Sequence, residues 1–116
     1  DWDDTLEYRA NTVIFSERDS ADVMYVVISG EVELTLAGDP LGMESAGGIV
    51  GEMALTHPAG TRSATATAIS KVKLARVNRD QFREIISENT DFAFHVMAVL
   101  ANRLIVANTF IARALS

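Results

Sequence analysis

The sequence predicts a mainly β domain, a barrel or a double-sheet roll, followed by two C-terminal α-helices. Short β-type runs separated by turn signals fill the first three quarters of the chain, and the hydrophobic period changes near Asn78. At 116 residues, 48% of them hydrophobic, the chain has the size of one domain and too much apolar content for disorder. We therefore expect one domain over residues 1–116, with the roll at about 5–77 and the helices at about 79–112.

The predicted strands are runs of β-branched, aromatic or alternating residues. Val32, Leu34 and Leu36 alternate with polar residues, which is the period of a half-buried strand. A turn at 29–30 and a second one at 37–40 carry the Gly, Asp and Pro residues that turns favour. The strands predicted in this way cover residues 12–15, 23–28, 31–36, 63–68 and 72–77.

Helical spacing begins after the last strand. Asn78 and Gln81 have the spacing of a capping box, and a second, longer helix is predicted from residues 89–90 to about 112. This second helix is apolar around most of its circumference, so it must bury more than one face. We expect one face to pack on the roll and the other to meet a second subunit or a ligand. Polar residues interrupt the apolar region, which argues against a membrane span: His95, Asn102, Arg103, Asn108 and Arg113.

Composition excludes several classes of protein. Residues 1–50 carry eleven acidic side chains and two arginines, so this half would repel nucleic-acid phosphates, and no direct nucleic-acid partner is expected. No cysteine is present, which excludes disulfides and zinc–thiolate sites and fits a reducing cytoplasm. His57 and His95 lack partners at metal-ligand spacing, and no catalytic triad is evident, so neither a metal site nor an enzyme is predicted.

The segment 51–64 carries the most informative chemistry. Residues 52–55 can form one helical turn whose free N–H groups suit an anion. Arg62 then opens a strand of tiny residues, among them Ser63 and Ala64, which leave room for a ligand against the sheet. An arginine in a barrel wall is costly unless a counter-charge and hydrogen bonds accompany it, and an anionic ligand would supply both.

The run Gly51-Glu52-Met53-Ala54-Leu55, a loop, and then Arg62-Ser63-Ala64 resembles the phosphate-binding cassette of cyclic nucleotide-binding domains. The resemblance covers nearly the whole chain, and residues 100–104 are similar to the last helix of the family. It implies a double-stranded β-helix, a jelly-roll-like β-roll, followed by two α-helices. It also implies a regulatory domain that binds cAMP or cGMP, requires no other cofactor, and transmits occupancy through its C-terminal helices.

The resemblance also implies roles for individual residues. Glu52 would accept a hydrogen bond from the ribose 2′-OH, and Arg62 would pair with the cyclic phosphate, helped by backbone N–H groups of Ala54 and Ser63. Gly51 would let the ribose approach, and Met53 belongs to the same cassette. Arg103, Ala107 and Asn108 fall where the family's last helix contacts the base; Ala107 cannot bond through its side chain, which leaves Asn108 as the reader on this helix. Ser63 could also contact a guanine amino group, so the choice between cAMP and cGMP stays open.

Several alternatives remain open from the sequence. Glu52 and Arg62 could form a structural ion pair, and the chain could be a degenerate fold that dimerises through residues 92–112 without binding nucleotide. Asn108 could set the register of that dimer instead of contacting a base. Arg18 and Asn11 replace glycines that are usual in the family, which puts turn geometry in question. The chain begins at Asp1 rather than Met, and we expect an effector domain outside it.

Overall fold

The computed structural model describes residues 2, 4–56, 58 and 60–115, and His57 lies outside them. The described part contains eight strands and three helices. Their bounds are β1 Thr5–Tyr8, β2 Val13–Phe15, β3 Val23–Ser29, β4 Val32–Leu36, β5 Asp39–Glu44, β6 Ile49–Val50, α1 Met53–Thr56, β7 Thr65–Ala68, β8 Val72–Asn78, α2 Arg79–Glu88 and α3 Thr90–Leu115.

The strands form two antiparallel four-stranded sheets, in the orders β1-β8-β3-β6 and β2-β7-β4-β5. Their inner faces bury one core that includes Val27, Val32 and Leu74. Val32 and Leu34 are buried, as the alternation in β4 predicts, because successive side chains of a strand point to opposite faces. The predicted mainly β roll followed by C-terminal helices is therefore confirmed.

A second core lies between the β3–β8 sheet and the helices. Met24, Ile49 and Val77 are fully or almost fully buried in it, and Val96 of α3 packs against them. Asn78 accepts a hydrogen bond from the Gln81 backbone N–H, and the Gln81 side chain accepts one from the Asn78 N–H, both at 2.8 Å. The predicted capping box is thus confirmed, and it fixes the point at which the chain leaves the sheet for α2.

The strand β5 was not predicted, because the turn signal at 37–40 masks its beginning. The turn itself occupies Ala37 and Gly38, and Pro40 already pairs with Thr35 of β4. Proline is tolerated here because β5 lies at the edge of its sheet, where one side of the backbone needs no ladder partner. Propensity alone misses such a strand, which tertiary pairing with β4 stabilises.

Asn11 and Arg18 both adopt the left-handed conformation that the usual glycines would adopt, with φ of 69° and 75°. The turn at Arg18 is bonded directly to the cassette. Its backbone N–H donates to the Arg62 carbonyl, and the Arg62 N–H donates to the Asp19 carbonyl, both at 2.8 Å. The fold therefore keeps the turn geometry despite the departures in sequence, and this turn positions the backbone of Arg62.

The helix α3 is long enough and apolar enough to cross a membrane. A core helix of a soluble protein can meet the same two criteria. The first half of α3 packs on the β-roll through Phe92, Val96 and Leu100. The part beyond Arg103, residues 104–115, extends about 18 Å, which is less than the roughly 30 Å of a bilayer core. A membrane span would therefore require α3 to detach from the roll.

Candidate ligand-binding site

The cassette lies between β6 and β7 and is anchored by α1. Ala54 and Leu55 of this short helix are buried. Gly51 precedes it with φ of 77°, and a Cβ at this position would lie 2.3 Å from Nη1 of Arg62. Both the backbone conformation and the lack of a side chain are therefore required at Gly51 for the guanidinium to occupy its place.

Arg62 lies in the wall of the roll with only 5% of its surface exposed. Its Nη1 donates to the carbonyl oxygens of Val23 at 2.7 Å and Gly51 at 3.2 Å. The guanidinium carbon lies 4.1 Å from the ring centre of Phe15 and 5.5 Å from that of Tyr25, within the range of cation–π attraction. These hydrogen bonds go to neutral carbonyl groups, so they position the cation without neutralising it.

Burial lowers the pKa of the Arg62 guanidinium from its ordinary value, because desolvation disfavours the charged form. Tyr25 and the carboxylates of Asp19, Asp22 and Glu52 act in the opposite direction. An arginine retains its proton at any physiological pH. The site therefore holds a desolvated positive charge whose environment would favour an additional anion.

Glu52 is fully buried, and its carboxylate forms a hydrogen-bonded ion pair with Arg103 of α3. Arg103 also donates from Nη2 to the Ile49 carbonyl at 2.9 Å and lies 3.6 Å from the Glu44 carboxylate. The structural ion pair of Glu52 is thus formed with a residue of the last helix, and Arg62, the partner suggested by the sequence, is not the one. Arg103 therefore connects α3 to the cassette and to β5 and β6, the strands that flank the turn at 45–48.

Two further groups near this contact were missed by the sequence analysis. Glu44 ends β5, a strand that was not predicted, and partial burial raises the pKa of its carboxyl, an effect that Arg103 opposes. His95 of α3 lies with Nε2 at 2.9 Å from the Gly47 carbonyl oxygen. Only tertiary packing brings α3 to this turn, so no local sequence signal could have identified either contact.

A cavity of about 650 Å³ opens between the cassette, β4, β5 and α3, a volume within the range of small-molecule sites. Arg62 and Glu52 lie in its wall. The lining comprises Phe15, Leu34, Leu36, Leu41, Gly51, Glu52, Met53, Ala54, Arg62, Ser63, Ala64, Leu100, Arg103, Leu104, Val106, Ala107 and Ile111.

The six candidate residues of the cassette all line this cavity: Gly51, Glu52, Met53, Ala54, Arg62 and Ser63. The Ala54 N–H donates to the Gly51 carbonyl at 3.2 Å, so in this conformation it is engaged within the cassette. Asn108 is exposed on α3 and does not line the cavity of its own chain. The ligand contacts assigned to these residues stay predictions.

Histidine, aspartate and glutamate side chains form no group of three suited to a metal ion within the described ranges. The polar chemistry of the cavity lies in two arginines, one glutamate and one serine. Such a set can bind an anion and a hydroxyl group through charge-assisted hydrogen bonds.

Comparison with known proteins agrees with the fold. The sequence profile described as "Cyclic nucleotide-binding domain" matches residues 5–89. The chain is 28% identical over 111 residues to the Pycsar effector protein BcPycTIR of Burkholderia cepacia, covering 96% of this chain and 37% of that protein. It is 29% identical over 105 residues to the CRP-like cAMP-activated global transcriptional regulator of Mycobacterium tuberculosis, covering 85% of this chain and 46% of the regulator.

Among solved structures, the Catabolite Activator Protein of Thermus thermophilus superposes with a TM-score of 0.77 at 30% identity, over 95% of this chain and 54% of that one. The chain therefore spans roughly half or less of the length of these relatives. The profile match covers well over half of the chain and includes the whole cassette. The chain accordingly belongs to the cyclic nucleotide-binding domain family.

Proposed function

We propose that this chain is a ligand-sensing domain that binds a cyclic nucleotide, cAMP or cGMP, in the cavity beside Arg62. The observation that supports it most is the Arg62 guanidinium, which is buried in the cavity wall and hydrogen-bonded to two neutral carbonyl groups. A cyclic phosphate would supply the negative charge that a buried cation requires. Family membership and the similarity to a cAMP-activated transcriptional regulator support the same proposal.

Glu52 and Arg103 provide a route from the ligand to α3. A ribose hydroxyl that donates to the Glu52 carboxylate would share it with Arg103, which also contacts Ile49 and lies near Glu44. A ligand that binds one arrangement of this ion pair more tightly than the other shifts the equilibrium between the two positions of α3. The size of the shift is set by the difference between the two binding affinities. We propose that occupancy is transmitted in this way to α2 and α3, and from them to an effector domain outside the chain.

A second proposal concerns the outer seam of α3, which consists of exposed residues at alternating spacings of three and four. This pattern is the a/d heptad of a two-stranded coiled coil, with Asn108 at an a position, where a polar residue specifies register. The outer seam comprises Phe94, Met97, Ala101, Leu104, Asn108, Ile111 and Leu115. It supports a homodimer formed through α3, and this dimer would remain if the cassette bound no nucleotide.

We expect neither catalysis nor direct nucleic-acid binding from these residues, and we expect the protein in the cytoplasm. The relatives named above are longer than this chain, and their activities need not reside in the shared domain. The whole protein could therefore carry an enzyme or a DNA-binding module while this domain acts as its sensor.

Calorimetric titration of the purified chain with cAMP and with cGMP tests the nucleotide proposal. We expect roughly micromolar binding, weakened about hundredfold or more by Arg62→Ala, because that change removes charge-assisted hydrogen bonds to the phosphate. Arg83→Ala, which removes an exposed arginine of α2, is the matched control and should bind as the unmodified chain does. Arg62→Lys retains the charge should the alanine variant fail to fold. No heat of binding for either nucleotide at millimolar concentration would leave only the dimerisation proposal.

A further inference from the structure

The hairpin formed by β4 and β5 is one wall of the cavity. Leu36, just before its turn, and Leu41 of β5 both line the cavity. The strand β5 is the edge of its sheet, pairs with β4 alone within the described part of the chain, and is exposed over residues 39–43. The position of this wall therefore depends on the contacts that hold the hairpin beyond that pairing.

An acidic side chain lies at each end of β5. Glu44, the last residue of the strand, lies 3.6 Å from Arg103 of α3. At the other end, the carboxylate of Glu17 accepts the Ala37 N–H through both oxygens, at 3.1 and 3.3 Å. Ala37 has a φ of 51°, a left-handed conformation that is costly for a residue with a Cβ. A charge-assisted hydrogen bond from Ala37 offsets that cost and holds the turn at Glu17.

Thr65 of β7 fixes Glu17 in turn. The Thr65 hydroxyl donates to Oε1 of Glu17 and accepts a hydrogen bond from the Glu17 backbone N–H, both at 3.1 Å. Glu17 is half-buried, so these bonds are shielded from water in part. A glutamate bonded to one threonine through both its carboxylate and its backbone has little freedom to follow a moving hairpin.

The turn that carries Glu17 also positions Arg62. The Arg18 N–H donates to the Arg62 carbonyl, and the Arg62 N–H donates to the Asp19 carbonyl, both at 2.8 Å. Consecutive residues thus contact the hairpin on one side and the buried arginine on the other. The separation of these two walls of the cavity is therefore set by one short segment, residues 16–19.

We infer that Glu17 is a positioning residue of the cavity, which holds the β4–β5 hairpin in place relative to Arg62. Glu17 does not itself line the cavity and acts through Leu36 and Leu41. A hairpin that is already held loses little freedom when a ligand binds, whereas a loosened hairpin must be ordered first, which weakens binding. The inference rests on the proposed function for the identity of the ligand, and it adds a residue outside the cassette.

Hydrogen exchange of the Ala37 amide in the ligand-free chain, followed by NMR, tests the contact. We expect Glu17→Ala to accelerate this exchange about tenfold or more, because the amide loses a hydrogen bond to a charged acceptor. Glu31→Ala removes an exposed carboxylate beside the opposite end of β4 and should leave the rate unchanged. Equal rates in Glu17→Ala and the unmodified chain would overturn the inference, whatever the chain binds.

Calorimetric titration with cAMP and with cGMP tests the consequence for the cavity. We expect Glu17→Ala to weaken the binding of whichever nucleotide the unmodified chain binds by about fivefold or more. A substitution that only lowers stability leaves the dissociation constant unchanged while nearly all molecules stay folded. Glu31→Ala is again the control. Faster exchange with unchanged affinity in Glu17→Ala would overturn the positioning role.

Glu17→Gln keeps one oxygen acceptor, so both effects should be smaller and in the same direction. It provides the two measurements should the alanine variant fail to fold. No heat of binding for either nucleotide from the unmodified chain would overturn the proposed function. The exchange rates of the ligand-free chain would then decide alone whether Glu17 holds the hairpin.

Discussion

Arg103 of α3 forms an ion pair with the fully buried carboxylate of Glu52 in the cassette. The pair connects α3, the helix that moves in the proposed mechanism, to Glu52, the residue assigned to the ribose. It also shows why α3 lies on the roll in this conformation: the helix contributes the charge that makes burial of Glu52 tolerable.

Arg103→Met should destabilise the chain by about 3 kcal/mol, because the buried Glu52 carboxylate loses its ion pair with Arg103. Glu52→Gln should cost less, since Arg103 keeps the Ile49 carbonyl and the nearby Glu44. The double variant should be more stable than Arg103→Met alone. Urea denaturation measures all three, and Arg76→Met, which breaks an exposed pair with Asp4, is the control with a much smaller expected loss. Equal losses from Arg103→Met and Arg76→Met would contradict this account.

Glu44→Gln should make the chain more stable than the unmodified protein at neutral pH, and the difference should shrink on acidification. Burial raises the pKa of Glu44 above 4.5, so the folded state disfavours its charged form. The free energy of unfolding is not reduced at a pH below the pKa of Glu44 in the unfolded chain, because the carboxyl is then protonated in both states. The reduction develops as the pH rises through the pKa of Glu44 in the folded chain.

Arg103, Glu52 and His95 also act on the Glu44 carboxyl, so the comparison is made against Glu31→Gln, which removes one carboxylate at an exposed position. Thermal melts of both variants at several pH values provide the measurement. A Glu44→Gln advantage that is constant from pH 4 to pH 7 would show that titration of Glu44 plays no part.

Arg18→Gly should stabilise the fold by about 0.5–1 kcal/mol. A left-handed conformation costs a residue with a Cβ roughly 1–2 kcal/mol, while glycine loses about 0.5–1 kcal/mol through its greater freedom in the unfolded chain. Arg18 is exposed with φ of 75°, so the substitution removes strain without removing packing. Arg9 is an exposed arginine without a positive φ, so Arg9→Gly should not stabilise the fold. Chemical denaturation of both variants measures the difference in their free energies of unfolding.

Met97→Lys should weaken the proposed dimer by about tenfold or more, because it places a charge at a d position of the outer seam. Met97 is 53% exposed in the single chain and does not line the cavity, so the substitution acts on the seam without removing a cavity contact. Thr109→Lys adds the same charge beside the seam and serves as the control. Sedimentation across a concentration series gives the dissociation constants, and a chain that stays monomeric at high concentration rules out the dimer.

Local patterns were sufficient to predict much of this molecule. The burial of Val32 and Leu34 in β4 and the Asn78–Gln81 capping box depend on neighbouring residues, and both occur as predicted. The cassette was found because Gly51, the short helix and Arg62 lie close together in the chain, so their spacing is visible without a fold.

Contacts between distant segments could not be predicted in the same way. The β5 strand depends on pairing with β4, and the partner of Glu52 comes from a helix 51 residues further along the chain. The pKa of a buried group and its ion pairing depend on which charged side chain packs against it. The same local sequence pattern is compatible with many such arrangements, so it does not identify that side chain.

The sequence by itself determined the roll, the cassette and the presence of an arginine suited to an anion, because short-range spacing and side-chain chemistry specify them. The tertiary structure alone decided that Arg103 is paired with Glu52, that Asn108 lies outside the cavity lining of its own chain, and that most of that lining is apolar. The physical reason is that burial and pairing are properties of side chains brought together by packing, whatever their separation along the chain.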